Sequence, residues 1–193
     1  MIYSAAYVLM KLFDAIYFRT KFKGLENIPS AQAYILACNH KSNLDPFIVG
    51  ICKRQRFSFL AKEELFKSKI ADFLFRGMGA FPIKRDTSDF GALREALRRL
   101  KKGPLILFPE GTRGVGDRKK EPQPGVGFLA KKSGVPVIPV FIEGSDKGFP
   151  SGAKWFRFYP IKITFGPPIV FNDQQDYHQI ADTILEAIYS QSK

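Results

Sequence analysis

The feature that most constrains the fold of this chain is the regular alternation of short apolar runs with segments of helical periodicity. Apolar runs typical of buried strands cover residues 33–38, 57–61, 81–83, 105–108, 135–142 and 161–165. Helical patterns alternate with them, opening at Asp45-Pro46, on a face of Phe66, Ile70, Phe73 and Leu74, and over 88–102, 127–133 and 175–190. This alternation predicts an α/β fold with a mainly parallel central sheet flanked by helices, and Pro82 restricts 81–83 to a sheet edge or end.

The charge balance narrows the choice of partners. The chain has 193 residues, enough for one domain with a core, and its 30 Lys and Arg against 18 Asp and Glu give a net charge of +12. Such an excess favours a polyanion: nucleic acid, an anionic membrane surface, or phosphorylated and coenzyme-bound substrates. Two cysteines, Cys38 and Cys52, cannot form a disulfide framework and lack metal-ligand spacing, so a reducing cytosolic setting is expected.

Residues 1–22 carry a pattern suited to a membrane interface. Apolar residues recur at intervals of three or four, as on one face of a helix: Ile2, Ala5, Leu9, Leu12, Phe13 and Ile16. Tyrosine and phenylalanine rings accompany this face, and three basic residues follow it: Arg19, Lys21 and Lys23. Because the uncharged start is too short to cross a bilayer, we expect an amphipathic interfacial helix over 1–22, preceding a domain over 23–193. The alternative is a helix docked on the protein's own core.

Polar residues follow three of the predicted strands. Asn39-His40, the turn at 110–113 and the loop after Ile83 each come directly after an apolar run. In open parallel sheets the ligand binds beyond the carboxyl ends of the strands. The three segments are therefore predicted to share one functional edge.

His40 and Asp45 are the first candidates for chemistry at that edge. A single imidazole acts as a general base near neutral pH, and it acts better when a carboxylate holds its other ring nitrogen. A tight turn between a strand and a helix is suited to bringing Asp45 back to His40. The alternative is that Asp45, standing before Pro46, is an ordinary helix N-cap.

The turn after the strand at 105–108 is a candidate binding loop. Gly111 allows close approach of a ligand to the backbone, and Arg113 is suited to gripping a phosphate through two hydrogen bonds. Thr112 adds a hydroxyl, and Glu110 is suited to orienting Arg113 or a substrate hydroxyl. The alternative is an ordinary turn with a surface arginine.

Two cations, Lys84 and Arg85, follow the run at 81–83 and form a weaker candidate phosphate site, or a solvated basic loop. The chain has no Gly-x-Ser-x-Gly elbow, P-loop, dinucleotide fingerprint or zinc spacing. The other histidine, His178, stands at the start of the last predicted helix and is expected to be exposed and structural.

Taken together, these segments closely resemble the glycerolipid acyltransferase family, specifically the 1-acyl-sn-glycerol-3-phosphate (lysophosphatidic acid) acyltransferases. His40 and Asp45 match its His-x-x-x-x-Asp motif, and Lys84-Arg85 falls where the second motif carries its arginine. Residues 108–113 resemble the third motif and 135–140 the fourth, so the match runs in order from about residue 23 to 145. The second motif departs from the pattern because Pro82 stands where an aromatic is usual, with Phe81 displaced by one position. Of the two cations at this motif, Arg85 is favoured.

The resemblance implies transfer of an acyl group from acyl-CoA or acyl-acyl carrier protein to a lysophospholipid hydroxyl, making phosphatidic acid. His40 would take the proton of the acceptor hydroxyl, and Asp45 would hold His40. The phosphate and glycerol of the acceptor would be bound by Lys84, Arg85, Glu110, Gly111, Thr112 and Arg113. Neither a metal nor a cofactor is expected, and the thioester is a co-substrate.

The resemblance also implies attachment as a peripheral or monotopic protein at the cytoplasmic face of the membrane, because a soluble donor and a lipid acceptor must meet at the bilayer surface. Residues 23–193 are then expected to form the acyltransferase domain. Two alternatives stay open. One is a sister enzyme acting on glycerol-3-phosphate or on another lysolipid. The other is a non-catalytic basic module that binds membrane or nucleic acid, although nucleic acid is not expected as a partner.

Overall fold

Seven strands form one sheet in the computed structural model, which describes residues 2–30, 33–84, 89–111, 121–172 and 174–192. Their order across the sheet is β1-β7-β6-β2-β5-β3-β4, and only the β6–β7 pair is antiparallel. The mainly parallel α/β sheet predicted from the alternating pattern is thereby confirmed. The strands are β1 Lys21–Lys23, β2 Ile35–Cys38, β3 Ser58–Lys62, β4 Ala80–Ile83, β5 Leu105–Leu107, β6 Val137–Glu143 and β7 Lys162–Phe165.

Seven α-helices accompany the strands among the residues described, together with short 3₁₀ helices at Leu25–Asn27 and Glu63–Phe66. Good local signals mark several helix ends: Asp176 and Gln179 form a capping box at the last helix, and Gly134 ends another in the left-handed conformation. The α-helices are α1 Ile2–Tyr17, α2 Asp45–Gly50, α3 Lys69–Gly77, α4 Phe90–Leu100, α5 Pro124–Ser133, α6 Ser145–Gly148 and α7 Tyr177–Ser190.

The sheet is apolar on both faces, as a parallel sheet covered by helices must be. Along β2, Leu36 and Cys38 point to one core cluster while Ile35 and Ala37 point to the other. The first face packs against residues of α1, α2 and α3, and the second against α4, α5 and α7. The helices α1 and α3 of the first face leave several large apolar side chains exposed, whereas α7 of the second face leaves none.

Helix α1 is docked on the protein's own core and also leaves an apolar side exposed. Met10, Phe13 and Tyr17 pack against the first-face core, whereas Leu9 and Leu12 are 66% and 59% exposed. The periodicity alone predicts Phe13 on the same face as Leu9 and Leu12. In the structure Phe13 packs on the core instead. No helix in the described residues is both long and apolar enough to cross a membrane.

Two features of the sheet edges and one of α3 refine the predictions. β4 is an edge strand, as Pro82 required. β1 at the opposite edge was not predicted, and the proposed boundary between residues 22 and 23 falls inside it. Phe66 belongs to the 3₁₀ helix and packs with Phe75 on the core, so it does not continue the exposed face of α3.

Candidate active site

The candidate site lies where β2 and β5 end side by side. The two strands are parallel neighbours, with Ala37 paired to Leu107, so the loops that follow them emerge at the same edge. Asn39-His40 follows β2, and Glu110 lies in the turn after β5. Both His40 and Glu110 are buried, which sets them apart from the usual surface positions of charged and titratable residues.

Asp45 holds the loop that carries His40. One of its carboxylate oxygens, Oδ2, accepts hydrogen bonds from His40 Nδ1 at 2.9 Å, from the Lys41 backbone N–H at 2.7 Å and from the Ser42 backbone N–H at 2.8 Å. Asp45 is the first residue of α2 and fully buried, and the N-cap is Leu44. The N-cap alternative is therefore wrong: the carboxylate binds the residues before the helix and turns them back toward His40.

The imidazole of His40 is fixed in orientation and in tautomer. A carboxylate only accepts, so Nδ1 carries the proton of the bond to Asp45, and Nε2 is left as the basic nitrogen. The ring of Phe108 stacks on the imidazole with a centroid separation of 4.1 Å and an angle of 28°. Among the residues described, no group hydrogen-bonds Nε2, which is the atom a general base must present to its substrate.

The carboxylate of Glu110 accepts hydrogen bonds from other groups of the protein. Its Oε1 accepts from the backbone N–H of His40 at 3.4 Å and from the hydroxyl of Tyr189 at 3.1 Å. Gly111 follows with φ +66°, and a side chain there would come within 2.9 Å of Gln123 Cγ. The positive φ favours glycine at this position, and a larger residue would also have to displace the Gln123 side chain. Glu110 links the β5 turn to the His40 loop.

Three residues that carry no assigned role in the sequence pattern support the loop. Asn39 bridges to β6, donating from Nδ2 to the Ile142 carbonyl at 3.0 Å and accepting at Oδ1 from the Ile142 N–H at 2.7 Å. Ser42 donates to the Phe149 carbonyl at 3.0 Å. Tyr189 reaches the site from α7, far away in sequence, and no local signal points to it.

Only some of the residues predicted to bind the phosphate lie within the described part of the chain. Lys84 follows the edge strand β4 at the same end of the sheet, is exposed, and donates its backbone N–H to Asp89 at 2.9 Å. Three strand spacings separate β4 from β2, a distance of about 14 Å, so Lys84 shares the edge but does not contact the His40–Asp45 pair. Arg85, Thr112 and Arg113 lie outside the described residues.

Neither a reactive thiol nor a metal-binding cluster is found in the described part of the chain. Burial raises the pKa of the Cys52 thiol to about 12 and that of the Cys38 thiol well above its usual range, so both are protonated near neutral pH. The described residues contain no cluster of three or more His, Cys, Asp or Glu side chains suited to a metal. His178 is exposed at the start of α7, as predicted.

An apolar cavity lies beside the site, beneath α2. It is partly open to solvent and is lined by α1, α2 and β3 through residues such as Tyr7, Met10, Phe47 and Phe59. Pro46 and Phe47 follow Asp45 directly, so the cavity begins within one helical turn of the His40–Asp45 pair. A lining of this kind suits a hydrocarbon chain.

Comparison with known proteins gives consistent matches. A 1-acyl-sn-glycerol-3-phosphate acyltransferase from Streptococcus pneumoniae is 32% identical over 86% of this chain and 61% of its own length. A chloroplastic 1-acyl-sn-glycerol-3-phosphate acyltransferase from Brassica napus is 32% identical over 72% of this chain and 41% of its own length. The chain thus spans less than two thirds of the length of these curated relatives.

A solved structure has the same architecture. The 1-acyl-sn-glycerophosphate (LPA) acyltransferase PlsC from Thermotoga maritima superposes with a TM-score of 0.79, at 26% identity, over 98% of this chain and 79% of that one. The model of the Acyltransferase family matches residues 19–143, a stretch that takes in the His40 loop, the Glu110 turn and nearly all of the sheet. This chain therefore belongs to the acyltransferase family.

Proposed function

We propose that this chain transfers a fatty acyl group from an acyl thioester to the free hydroxyl of 1-acyl-sn-glycerol-3-phosphate, releasing a thiol and forming phosphatidic acid. The observation that carries the proposal is the 2.9 Å hydrogen bond from His40 Nδ1 to the buried Asp45, which leaves Nε2 as the base. The names of the relatives support the acceptor.

The proton balance of the reaction needs only this pair. Nε2 of His40 removes the proton of the acceptor hydroxyl as its oxygen attacks the thioester carbonyl. Asp45 stabilises the imidazolium that forms, as a buried carboxylate does in other acyl-transfer sites. When the tetrahedral intermediate collapses, the carbon–sulfur bond breaks, and the imidazolium returns the proton to the departing thiolate. The acceptor supplies the attacking oxygen, so no protein nucleophile is required.

The acceptor phosphate is proposed to bind the cations that the family pattern identifies, Arg85 and Arg113, with Lys84, Gly111 and Thr112 contributing. Guanidinium groups suit a phosphomonoester because they donate two hydrogen bonds at once. Glu110 is better suited to a supporting role, since its carboxylate binds the His40 backbone and Tyr189.

The donor is proposed to be acyl-CoA or acyl-acyl carrier protein, both of which present a negatively charged carrier to a chain of net charge +12. The apolar cavity beside α2 is suited to an acyl chain. The reaction is proposed to take place at the cytoplasmic surface of a membrane, and the exposed apolar face of α1 supports attachment there.

The test is a turnover assay of the purified full chain with a panel of acyl thioesters and lysolipids, read by thiol release and by product mass. His40→Ala is expected to abolish nearly all turnover with an unchanged circular dichroism spectrum. His178→Ala is the matched control, because that histidine is exposed and lies at the start of α7, and it is expected to turn over normally.

Turnover that survives in His40→Ala would remove the mechanism. A preference for glycerol-3-phosphate or for a lysolipid without phosphate would replace the proposed acceptor by that of a sister enzyme. A wild-type chain that binds lipid but releases no thiol with any donor would be a binding module.

A further inference from the structure

The outer face of α1 is apolar and has no protein covering it among the described residues. Four large side chains on this face are more than half exposed: Val8, Leu9, Leu12 and Ile16. Helix α3 continues the same surface. Ile70 and Phe73 are 74% and 65% exposed, and Gly77, on the same side of α3, contacts Ile2 so closely that a Cβ there would lie 2.7 Å from Ile2 Cγ2.

A third element joins this surface at the other end of α1. It is the segment 155–158, called here the aromatic segment, in which Trp155 is 81% and Phe158 73% exposed. Phe158 stacks on Tyr17 at a centroid distance of 4.7 Å, and Phe156 packs edge-on against Phe13 at 4.8 Å. Because Phe13 and Tyr17 border the exposed face of α1, the aromatic segment extends that face sideways.

The aromatic segment is fastened to the fold. The Arg157 N–H donates to the Gly148 carbonyl at 2.8 Å, and the Tyr159 N–H donates to the Tyr17 carbonyl at 3.2 Å. Phe156 also contacts Phe149, whose carbonyl accepts the hydrogen bond from Ser42 in the His40 loop. The exposed rings are therefore held at a defined position relative to α1 and to the candidate site.

The charges around these rings indicate what covers them. Lys154 and Arg157 alternate with the rings and are exposed, residues 150–160 contain no Asp or Glu, and Lys11 and Arg19 lie exposed on and beside α1. Tryptophan and phenylalanine interleaved with cations suit the boundary between lipid headgroups and acyl chains, where the rings meet hydrocarbon and the cations meet phosphate. A protein partner would not require this pairing of rings and cations.

We infer that the aromatic segment is a second membrane anchor, in which Trp155 and Phe158 insert into an anionic bilayer beside α1 while Lys154 and Arg157 contact lipid phosphates. The inference rests on the proposed function, in which a membrane lipid is the acceptor. It adds a membrane contact from outside the amino-terminal helix. Two anchors linked through Tyr17 fix how the His40 edge faces the lipid, which a single helix cannot do.

The wild-type chain contains its own probe, because Trp155 is the only tryptophan. Adding vesicles of equal parts phosphatidylcholine and phosphatidylglycerol is expected to shift the fluorescence emission of Trp155 to shorter wavelength. Lipids brominated near the ester end of the chain are expected to quench it more than lipids brominated near the methyl end. Vesicles that bind the protein, as measured by co-sedimentation, while leaving the Trp155 emission unchanged would overturn the inference.

A matched pair of variants measures the contribution to binding. Trp155→Ser is expected to weaken co-sedimentation with these vesicles several-fold, because it removes the most exposed ring of the aromatic segment. Phe90→Ser is the control: Phe90 is 65% exposed on α4, at the opposite face of the sheet, and this variant is expected to bind like the wild type. Equal binding by Trp155→Ser and the wild type would overturn the inference.

The remaining outcomes separate the inference from the function. A blue shift that appears on raising the protein concentration without vesicles, with dimers in sedimentation velocity, would replace the lipid by a second copy of the chain and overturn the inference. Turnover of a short-chain lysophosphatidate dissolved as a monomer tests the reaction without any bilayer. If Trp155 enters the bilayer but this turnover is absent, the proposed function fails alone; the reverse result overturns the anchor alone.

Discussion

The helices that cover the two faces of the sheet differ in how much apolar surface they leave exposed to solvent. On the second face, α7 buries Ile180, Ile184 and Ile188 completely and leaves no large apolar side chain exposed. On the first face, α1 and α3 bury one side and leave another apolar side open, including Leu9 and Ile70. A helix with one apolar side is explained by the core alone, whereas a helix apolar on two sides implies a second apolar surface to meet.

The same division separates chemistry from folding. Asp45 begins α2, which covers the first face, and it organises the loop that carries His40. The second face contributes chiefly packing, with one exception in the described residues: Tyr189 of α7 reaches the Glu110 turn. Changes at the His40 loop or on the exposed apolar side of the first-face helices are therefore expected to alter activity or lipid binding, and changes in the packing of the second face are expected to alter stability.

The largest effect is expected from Asp45→Asn. Asparagine in place of the carboxylate no longer secures the tautomer of His40, so turnover is expected to fall about 10³–10⁴-fold in the thiol-release assay. Asp72→Asn, on the surface of α3 and paired with Arg76, is the matched control and is expected to turn over normally. A loss of less than tenfold in Asp45→Asn would contradict the role given to the pair.

The next effect is on stability and compares the two faces directly. Ile184→Ala on α7 is expected to lower the free energy of unfolding by about 2–5 kcal/mol, because it leaves a cavity in a fully buried site. Leu12→Ala on α1 is expected to change it by less than about 0.5 kcal/mol, since Leu12 is 59% exposed. Urea denaturation measures both. Equal losses would mean that the outer face of α1 is covered by protein.

A smaller effect, on kcat, is expected from removing the Tyr189 hydroxyl, the one group of α7 that reaches the Glu110 turn in the described residues. Tyr189→Phe keeps the ring that packs edge-on against Phe141 and removes only the hydroxyl bound to Glu110. Loss of a hydrogen bond to a carboxylate is expected to lower kcat about tenfold with little change in KM. Tyr177→Phe, in the same helix, serves as the control. If Tyr189→Phe lowers the free energy of unfolding but leaves kcat unchanged, the Tyr189 hydroxyl contributes to stability alone.

The smallest effect is expected on the outer surface of the second-face helices. The guanidinium groups of Arg98 and Arg99 lower the pKa of Glu95 to about 2. A carboxylate with a lowered pKa stabilises the fold above its ordinary pKa, and this contribution is lost as the pH falls toward 2. Because these groups are partly exposed, Glu95→Gln is expected to cost no more than about 0.5 kcal/mol at neutral pH in urea denaturation. The difference from wild type is expected to vanish on acidification; a difference that grows would contradict the ion pair.

Much of the fold follows from local pattern. Strands with runs of apolar residues, such as β2 and β5, are visible because both of their faces are buried, and Pro82 correctly restricts β4 to an edge. β1 escapes prediction because its sequence, Lys21–Lys23, has only one apolar residue, and its place is decided by pairing with β7. Long-range pairing of this kind leaves no periodicity in the sequence.

In the candidate site, too, contacts between residues close in sequence are predictable, whereas contacts between distant segments are not. His40 and Asp45 are five positions apart, so one tight turn brings them together and spacing alone suffices to predict the contact. The inward binding of Glu110 was not foreseen, because its partner Tyr189 is 79 positions away and belongs to a helix on the other face of the sheet. The stack of Phe108 on His40 likewise depends on β2 and β5 being neighbours.

The short link between α1 and the sheet has a consequence for acceptor choice. Only three residues separate Tyr17 from β1, and Arg19 among them takes a positive φ of 46°, which closes the turn tightly. A helix joined this closely cannot tilt independently, so in a chain docked as inferred above His40 stays at a constant height over the lipid plane. A lysolipid whose free hydroxyl lies at a different height above the bilayer would then not come within reach of His40, whatever contacts its headgroup could make.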